Sequence, residues 1–161
     1  MPRGLMEHEL QRLQDDLLVL GSMAARAVQD SVDALRKRDR AAARLLIVGD
    51  RRINEKRFAL EADCLAVIAT QQPMAGDLRT LAAILEIATE LERIGDYGKG
   101  ISRINLLMGD EPLLKPLVDI PRMAGKAIAM LQQALKAFVE RDVAAARAIP
   151  AEDDEVDALY N

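Results

Sequence analysis

The feature that most constrains this chain is a stride. Leu10, Leu13, Leu17, Leu20, Ala24, Ala27, Ser31 and Leu35 follow one another at intervals of three or four residues without interruption. That spacing puts all eight on one face of an α-helix but scatters them over both faces of a strand, so a long amphipathic helix is what can bury them together. A second stripe, Ile84, Ile87, Leu91, Ile94, Gly98, Ile101, Asn105 and Met108, keeps the same stride. The composition agrees: 50% apolar and 30% charged residues but only 2% aromatic, with two Phe, two Tyr and no Trp, suits long helices rather than sheets. The predicted class is all-α.

Punctuation sets the number of helices. The first is expected over 5–38, with Asp39 as the N-cap of a second that runs to about residue 70. Gln71-Gln72-Pro73-Met74-Ala75-Gly76 interrupts the periodicity, and Asp77 opens a third helix that Gly109-Asp110-Glu111-Pro112 ends. Gly95 and Gly98 on that helix would let another backbone approach closely. Pro112, Pro116 and Pro121 mark a linker into a fourth helix over 120–140. A fifth begins at Asp142, and Pro150 predicts a kink or restart there. Long helices with short turns pack antiparallel, so the first three read as a three-helix bundle.

The chain also repeats itself. Arg38-Asp39-Arg40-Ala41-Ala42-Ala43-Arg44 overlays Arg141-Asp142-Val143-Ala144-Ala145-Ala146-Arg147, and at the same offset Asp50 falls on Asp153, Ile53 on Val156 and Asn54 on Asp157. A fixed offset is the mark of a duplicated supersecondary unit. The expected organisation is therefore tandem three-helix-bundle repeats, a first over 1–109 and an incomplete second of two helices over 110–161. On that reading the chain is cut short. Ile128, Leu131, Leu135, Phe138 and Val139 would be left exposed and would drive a homodimer or higher oligomer.

Several classes of function recede. A net charge of −4 gives no reason to expect nucleic acid as a partner. No apolar run reaches the roughly 20 residues of a membrane span, so no direct membrane insertion is expected. The N-terminus from Met1 to Glu7 lacks the apolar stretch of a signal peptide. A single cysteine, Cys64, excludes an internal disulfide, fits a reducing cytoplasm, and reads as a small buried hydrophobe. His8 is the only histidine and is expected to be solvated. With no nucleophile–base pair and no glycine-rich phosphate loop, the chain does not read as an enzyme.

What does suggest chemistry is a set of oxygen ligands. Glu92 and Asp96 stand four residues apart on one helical face, where like charges repel. Asp50 and Asn54 repeat the spacing on the second helix, and Asp153 and Asp157 on the fifth. In a hairpin centred on Pro73, Asp50 is level with Asp96 and Asn54 with Glu92, each pair being equally distant from the turn. Oxygen-only ligands favour hard cations such as Mg²⁺, Mn²⁺, Ca²⁺ or Fe³⁺. The alternative is that these are solvated charges on alanine-rich helices. By the same alignment Arg79 lies beside Val67, within a turn of Glu61 and Asp63, and an ion pair there would fix the hairpin.

Gln71-Gln72-Pro73-Met74-Ala75-Gly76-Asp77-Leu78-Arg79 followed by Leu91-Glu92-Arg93-Ile94-Gly95-Asp96 resembles the PhoU family, the phosphate-specific transport system accessory proteins. Asp50-x-x-Ile53-Asn54 matches the family's preceding helix, and Asp153 to Tyr160 resembles the corresponding start in its second repeat. The resemblance implies a cytoplasmic, non-enzymatic regulator of phosphate uptake and phosphate-starvation signalling. The partners it implies are the phosphate transporter ATPase and the phosphate sensor histidine kinase. It also implies metal at the acid-x-x-x-acid motifs, here Asp50, Asn54, Glu92, Asp96, Asp153 and Asp157. That metal could be iron or a divalent ion, Fe, Mn, Mg and Zn not being distinguished, and a multinuclear cluster lies within the family's range. Two other readings stay open: a structural helical dimerisation module, or a metal-storage bundle, neither with a signalling role.

Overall fold

The structure is a computed structural model that describes residues 3–161, so Met1 and Pro2, part of the N-terminal stretch expected above to lack a signal peptide's apolar run, lie outside the described residues. Among the described residues six helices follow in order: α1 Arg3–Lys37, α2 Arg40–Gln71, α3 Ala75–Leu107, α4 Asp119–Glu140, α5 Val143–Ala148 and α6 Pro150–Tyr160. Among the described residues there is no strand. The leucine stride does what its spacing demands. Leu13, Leu17 and Leu20 are completely buried and form one core with Leu60 and Cys64 of α2 and Leu81, Ile84 and Leu91 of α3. Each such leucine contributes roughly 1.5–3 kcal/mol by leaving water.

The duplication is visible in the backbone. Arg38 and Arg141 both adopt left-handed conformations, with φ of 54° and 56°. Asp39 and Asp142 follow as N-caps, their carboxylates accepting from Ala42 N and Ala145 N at 2.9 Å in both cases. The amide of Asp39 donates to Ala34 O at 2.8 Å and that of Asp142 to Ala137 O at 2.9 Å. Two seven-residue segments that differ only at Arg40 and Val143 thus build the same helix–cap–helix joint twice.

The two joints differ in what they hold. Arg38 reaches the C-terminal end of α3, where Nη1 donates to Asn105 O at 2.9 Å, Nη2 to Gly109 O at 2.6 Å and Nε to Glu111 O at 3.2 Å. Those carbonyls have no partner within the helix, and the guanidinium satisfies them. Asn105 is fully buried and accepts from Arg38 through its side chain as well. Arg141, the counterpart in the second copy, is exposed. Beyond it α5 ends at Ala148 and α6 starts at Pro150, the expected break, because proline lacks the N–H and its ring clashes with the preceding turn.

Two expectations are corrected. Ile128, Leu131, Leu135, Phe138 and Val139 do not form an exposed stripe: Leu135 is buried, the other four are half-buried, and Leu131 and Phe138 pack against the core. The cause is Gly21 on α1, where a Cβ would collide with Leu135 Cδ1, so the missing side chain is the socket that seats α4. Helix α1 lies against α2, α3 and α4 alike, whereas among the described residues α5 and α6 touch only α4 and each other. Arg79 does not pair with Glu61 or Asp63. It is exposed, while Glu61 lies 3.6 Å from Arg57 and Asp63 3.1 Å from Arg12.

Candidate functional site

The α2–α3 hairpin turns through Gln72, in left-handed backbone with φ 47°, and a buried Pro73. From there the two helices run antiparallel, and small residues set how closely they approach. A Cβ on Gly95 would lie 2.9 Å from Ile53 Cδ1 and 3.8 Å from Asp50 Oδ1. A Cβ on Gly98 would lie 2.8 Å from both the carbonyl carbon and oxygen of Ala27, which is backbone against backbone on the α1 side. The expectation that another backbone approaches closely holds at Gly98, whereas at Gly95 it is the Ile53 side chain that fills the space.

Asp50 is carried into this contact and is only 4% exposed. Lys99 Nζ donates to its Oδ2 at 3.1 Å, and its Oδ1 is buried with no partner. One turn along α2, Asn54 Oδ1 is likewise buried without a partner. Glu92 meets Arg57, with Oε2 2.8 Å from Nη1 and both side chains about one-fifth exposed. The same guanidinium stacks 4.9 Å from the centroid of the Phe58 ring. Asp96 is exposed on α3, and Asp153 and Asp157 are exposed on α6.

The levels read from the hairpin hold, but the facing residues are one turn displaced. Helical side chains lean toward the N-terminus of their own helix. On α3 that lean brings Lys99, rather than Asp96, to the height of Asp50, and brings Glu92 to the height of Arg57 rather than Asn54. Each carboxylate thereby meets a cation. Among the described residues no three His, Cys, Asp or Glu side chains are grouped so as to hold a metal ion. The donors fit a hard cation in kind, but of the expected ligands only Asp50 Oδ1 and Asn54 Oδ1 are buried without a partner, and both belong to a single helix.

Sequence reasoning missed the basic residues. Lys99, Arg26 and Arg52 line a groove of about 280 Å³ between α1, α2 and α3, with Asp50 and Asp30 also in its wall. The signal is present in the sequence, since Lys99 follows Asp96 by three residues and Arg52 follows Asp50 by two, but acidic spacing alone does not reveal it. Cys64 is fully buried, as expected, and burial together with the charge of Asp63 pushes its thiol pKa up to about 11.

Fold and site together define a duplicated antiparallel helical-bundle protein with carboxylates paired to basic side chains across a glycine-rich helix contact. The PhoU domain matches residues 17–104 and 120–161. The chain is 34% identical over 161 residues to the phosphate-specific transport system accessory protein PhoU homolog of Clostridium acetobutylicum, covering 99% of this chain and 74% of that one. It is 32% identical over 157 residues to the accessory protein PhoU of Escherichia coli K12, covering 98% of this chain and 65% of that protein. The crystal structure of the phosphate transport system regulatory protein PhoU from Streptococcus pneumoniae superposes with a TM-score of 0.87 at 28% identity, covering 96% of this chain and 73% of that one. PhoU from Pseudomonas aeruginosa superposes with a TM-score of 0.84 at 29% identity, covering 96% of this chain and 74% of that one. The chain belongs to the PhoU family.

Proposed function

We propose that this chain is a non-enzymatic regulator of phosphate uptake and phosphate-starvation signalling, acting by contact with the transporter ATPase and the sensor histidine kinase on the cytoplasmic side. The observation that carries the reading is likeness to accessory proteins of phosphate-specific transport along nearly the whole chain, with the α2–α3 hairpin and its motifs intact. No helix of the described residues is long and apolar enough to cross a membrane, which suits a protein that works by docking. Its α2 helix leaves Leu45, Val48, Phe58 and Leu65 each more than half exposed, apolar surface available for such contacts or for self-association into a homodimer. Co-purification of the chain with the ATPase and with the kinase tests the reading. Retention of both partners supports it, and retention of neither contradicts it.

A metal forms a second part of the proposal, with Asp50, Asn54, Glu92 and Asp96 as donors and Asp153 with Asp157 as their second-copy equivalents. The buried, unpartnered oxygens of Asp50 and Asn54 favour it. When bound, the cation would supply positive charge to those oxygens. Glu92 would have to leave Arg57 to join them, which makes the pair a latch on the site. Replacing Glu92 and Asp96 by Ala should lower the metal content of the purified protein by elemental analysis. Unchanged content contradicts the ligand assignment.

A further inference from the structure

The internal duplication leaves one joint filled and the other open. In the first copy the joint holds the C-terminal end of α3. Arg38 donates to the carbonyl oxygens of Asn105, Gly109 and Glu111, Arg40 Nη1 donates to Asp110 Oδ1 at 2.6 Å, and Asn105 Nδ2 donates to Asp39 O at 3.4 Å. Ala43, at the start of α2, is completely buried. At the offset that overlays Arg38 on Arg141, the residues Ala34, Leu35, Arg38, Asp39, Arg40 and Ala43 become Ala137, Phe138, Arg141, Asp142, Val143 and Ala146. All six counterparts line a groove of about 740 Å³ bordered by α1, α3, α4 and α5. Arg141 and Ala146 are exposed there, and the Arg141 guanidinium makes no hydrogen bond or ion pair among the described residues.

The rest of the lining suits the guest that the first copy holds. Gln14 of α1 is only 8% exposed, and its amide has no hydrogen-bond partner among the described residues yet is not sealed off from the groove. An amide both donates and accepts, so it can meet either group of a peptide backbone. Arg79, near the start of α3, is exposed and unpaired among the described residues, and it brings to the groove a cation that Val143 does not supply where the first copy has Arg40. Two guanidiniums face one carboxylate, Asp142, whose Oδ1 already caps α5, so the lining is positive. A positive wall fits a helix C-terminus, whose last carbonyls lack partners within the helix and carry the negative end of its dipole. We propose that this groove is a docking site for the C-terminal end of an α-helix of another protein, one whose last turn carries an asparagine and runs on into acidic residues, with Arg141 as the clamp on its carbonyls. A second copy of this chain is not the occupant, because its own end of that kind, Asn105 to Glu111, is already held by its own Arg38. The site uses neither the carboxylate motif nor the exposed apolar residues of α2, and it stands independently of the phosphate-regulatory reading.

The test is fluorescence anisotropy of the full chain with a labelled, helix-stapled synthetic peptide of its own sequence from Gly98 to Pro112, which ends as the guest of the first copy does. The peptide should bind in the micromolar range. Arg141→Ala should weaken it at least about tenfold, the loss expected of an arginine at the centre of an interface, and Arg141→Lys should recover little of it, because a lysine lacks the planar fork. Asn105→Ala in the peptide, or Asp110→Asn with Glu111→Gln, should each weaken binding severalfold. Ala146→Phe is an exposed change that fills the groove, and it should block binding with the chain still folded, which preserves the test if Arg141→Ala disturbs the joint. The inference is overturned by no binding at peptide concentrations up to about 1 mM, by equal binding of a scrambled peptide of the same composition, or by binding that Ala146→Phe leaves unchanged. A dimer in sedimentation that Arg141→Ala dissociates would give the groove to a second copy and overturn the assignment to another protein.

Discussion

Gly98 and Gly100 sit two residues apart in α3 and should respond to the same substitution with opposite signs. In an exposed helix interior Gly→Ala stabilises by about 1 kcal/mol, because alanine loses less backbone entropy. At Gly100 nothing lies within 4 Å of the new Cβ, so Gly100→Ala should show that gain almost undiminished. At Gly98 the new Cβ would stand 2.8 Å from Ala27 C and O and 3.1 Å from Val28 N. Those are backbone atoms of α1, which cannot rotate aside, so the two helices must part and loosen the packing of Leu91 and Ala24 beside them. Overpacking of this kind costs roughly 1–3 kcal/mol, and a rigid obstacle places it at the upper end. After the propensity gain, Gly98→Ala should be destabilised by about 2 kcal/mol, a gap of about 3 kcal/mol from Gly100→Ala. Urea denaturation followed by helical circular dichroism would show midpoints roughly 1–2 M apart at an unchanged slope. A Gly98→Ala chain as stable as Gly100→Ala would refute the claim that α1 and α3 meet backbone to backbone.

Asp39→Ala should cost about 1 kcal/mol of global stability by removing the N-cap of α2, whereas Asp142→Ala should affect only helicity around α5, a short helix with no buried residue. Cys64 should resist thiol reagents in the native state at pH 8 and react at the unfolding rate. Its folded-state pKa of about 11 lies above the ordinary thiol value of 9.0, so the contribution is complete below pH 9 and stability falls as pH rises from 9.0 toward about 11. A Cys64→Ala chain that keeps the same alkaline loss would refute that origin. Glu92→Ala should destabilise by about 1 kcal/mol, since losing the half-buried pair with Arg57 outweighs the roughly 0.2–0.5 kcal/mol of repulsion relieved at Asp96. An Arg57→Ala, Glu92→Ala double-mutant cycle with no coupling would contradict it.

The sequence made the helices legible and their rotation illegible. Stride and punctuation are local: the leucine stripe of α1, the caps at Asp39 and Asp142 and the break at Pro150 all lie where spacing and residue chemistry put them. The heights of Asp50 and Glu92 were also legible, because distance from a hairpin turn is additive along two antiparallel helices. Which residues face each other depends on side-chain lean and on the angle about each axis, and these settled Lys99 and Arg57, not a second carboxylate, against the acids. The seat of α4 was missed for a related reason. Gly21 reads in isolation as a weak point within α1, and its meaning as a socket depends on Leu135, more than a hundred residues away. Arg38 shows the same limit, since nothing local in the sequence marks it as the clamp on the end of α3.

The most direct test of the account is to express this chain in its host lacking the resident copy of the gene and to read a phosphate-starvation reporter in phosphate-rich medium. The account predicts that repression returns in rich medium and lifts on starvation. A reporter that stays fully derepressed, with the chain folded and present at native abundance, would contradict it.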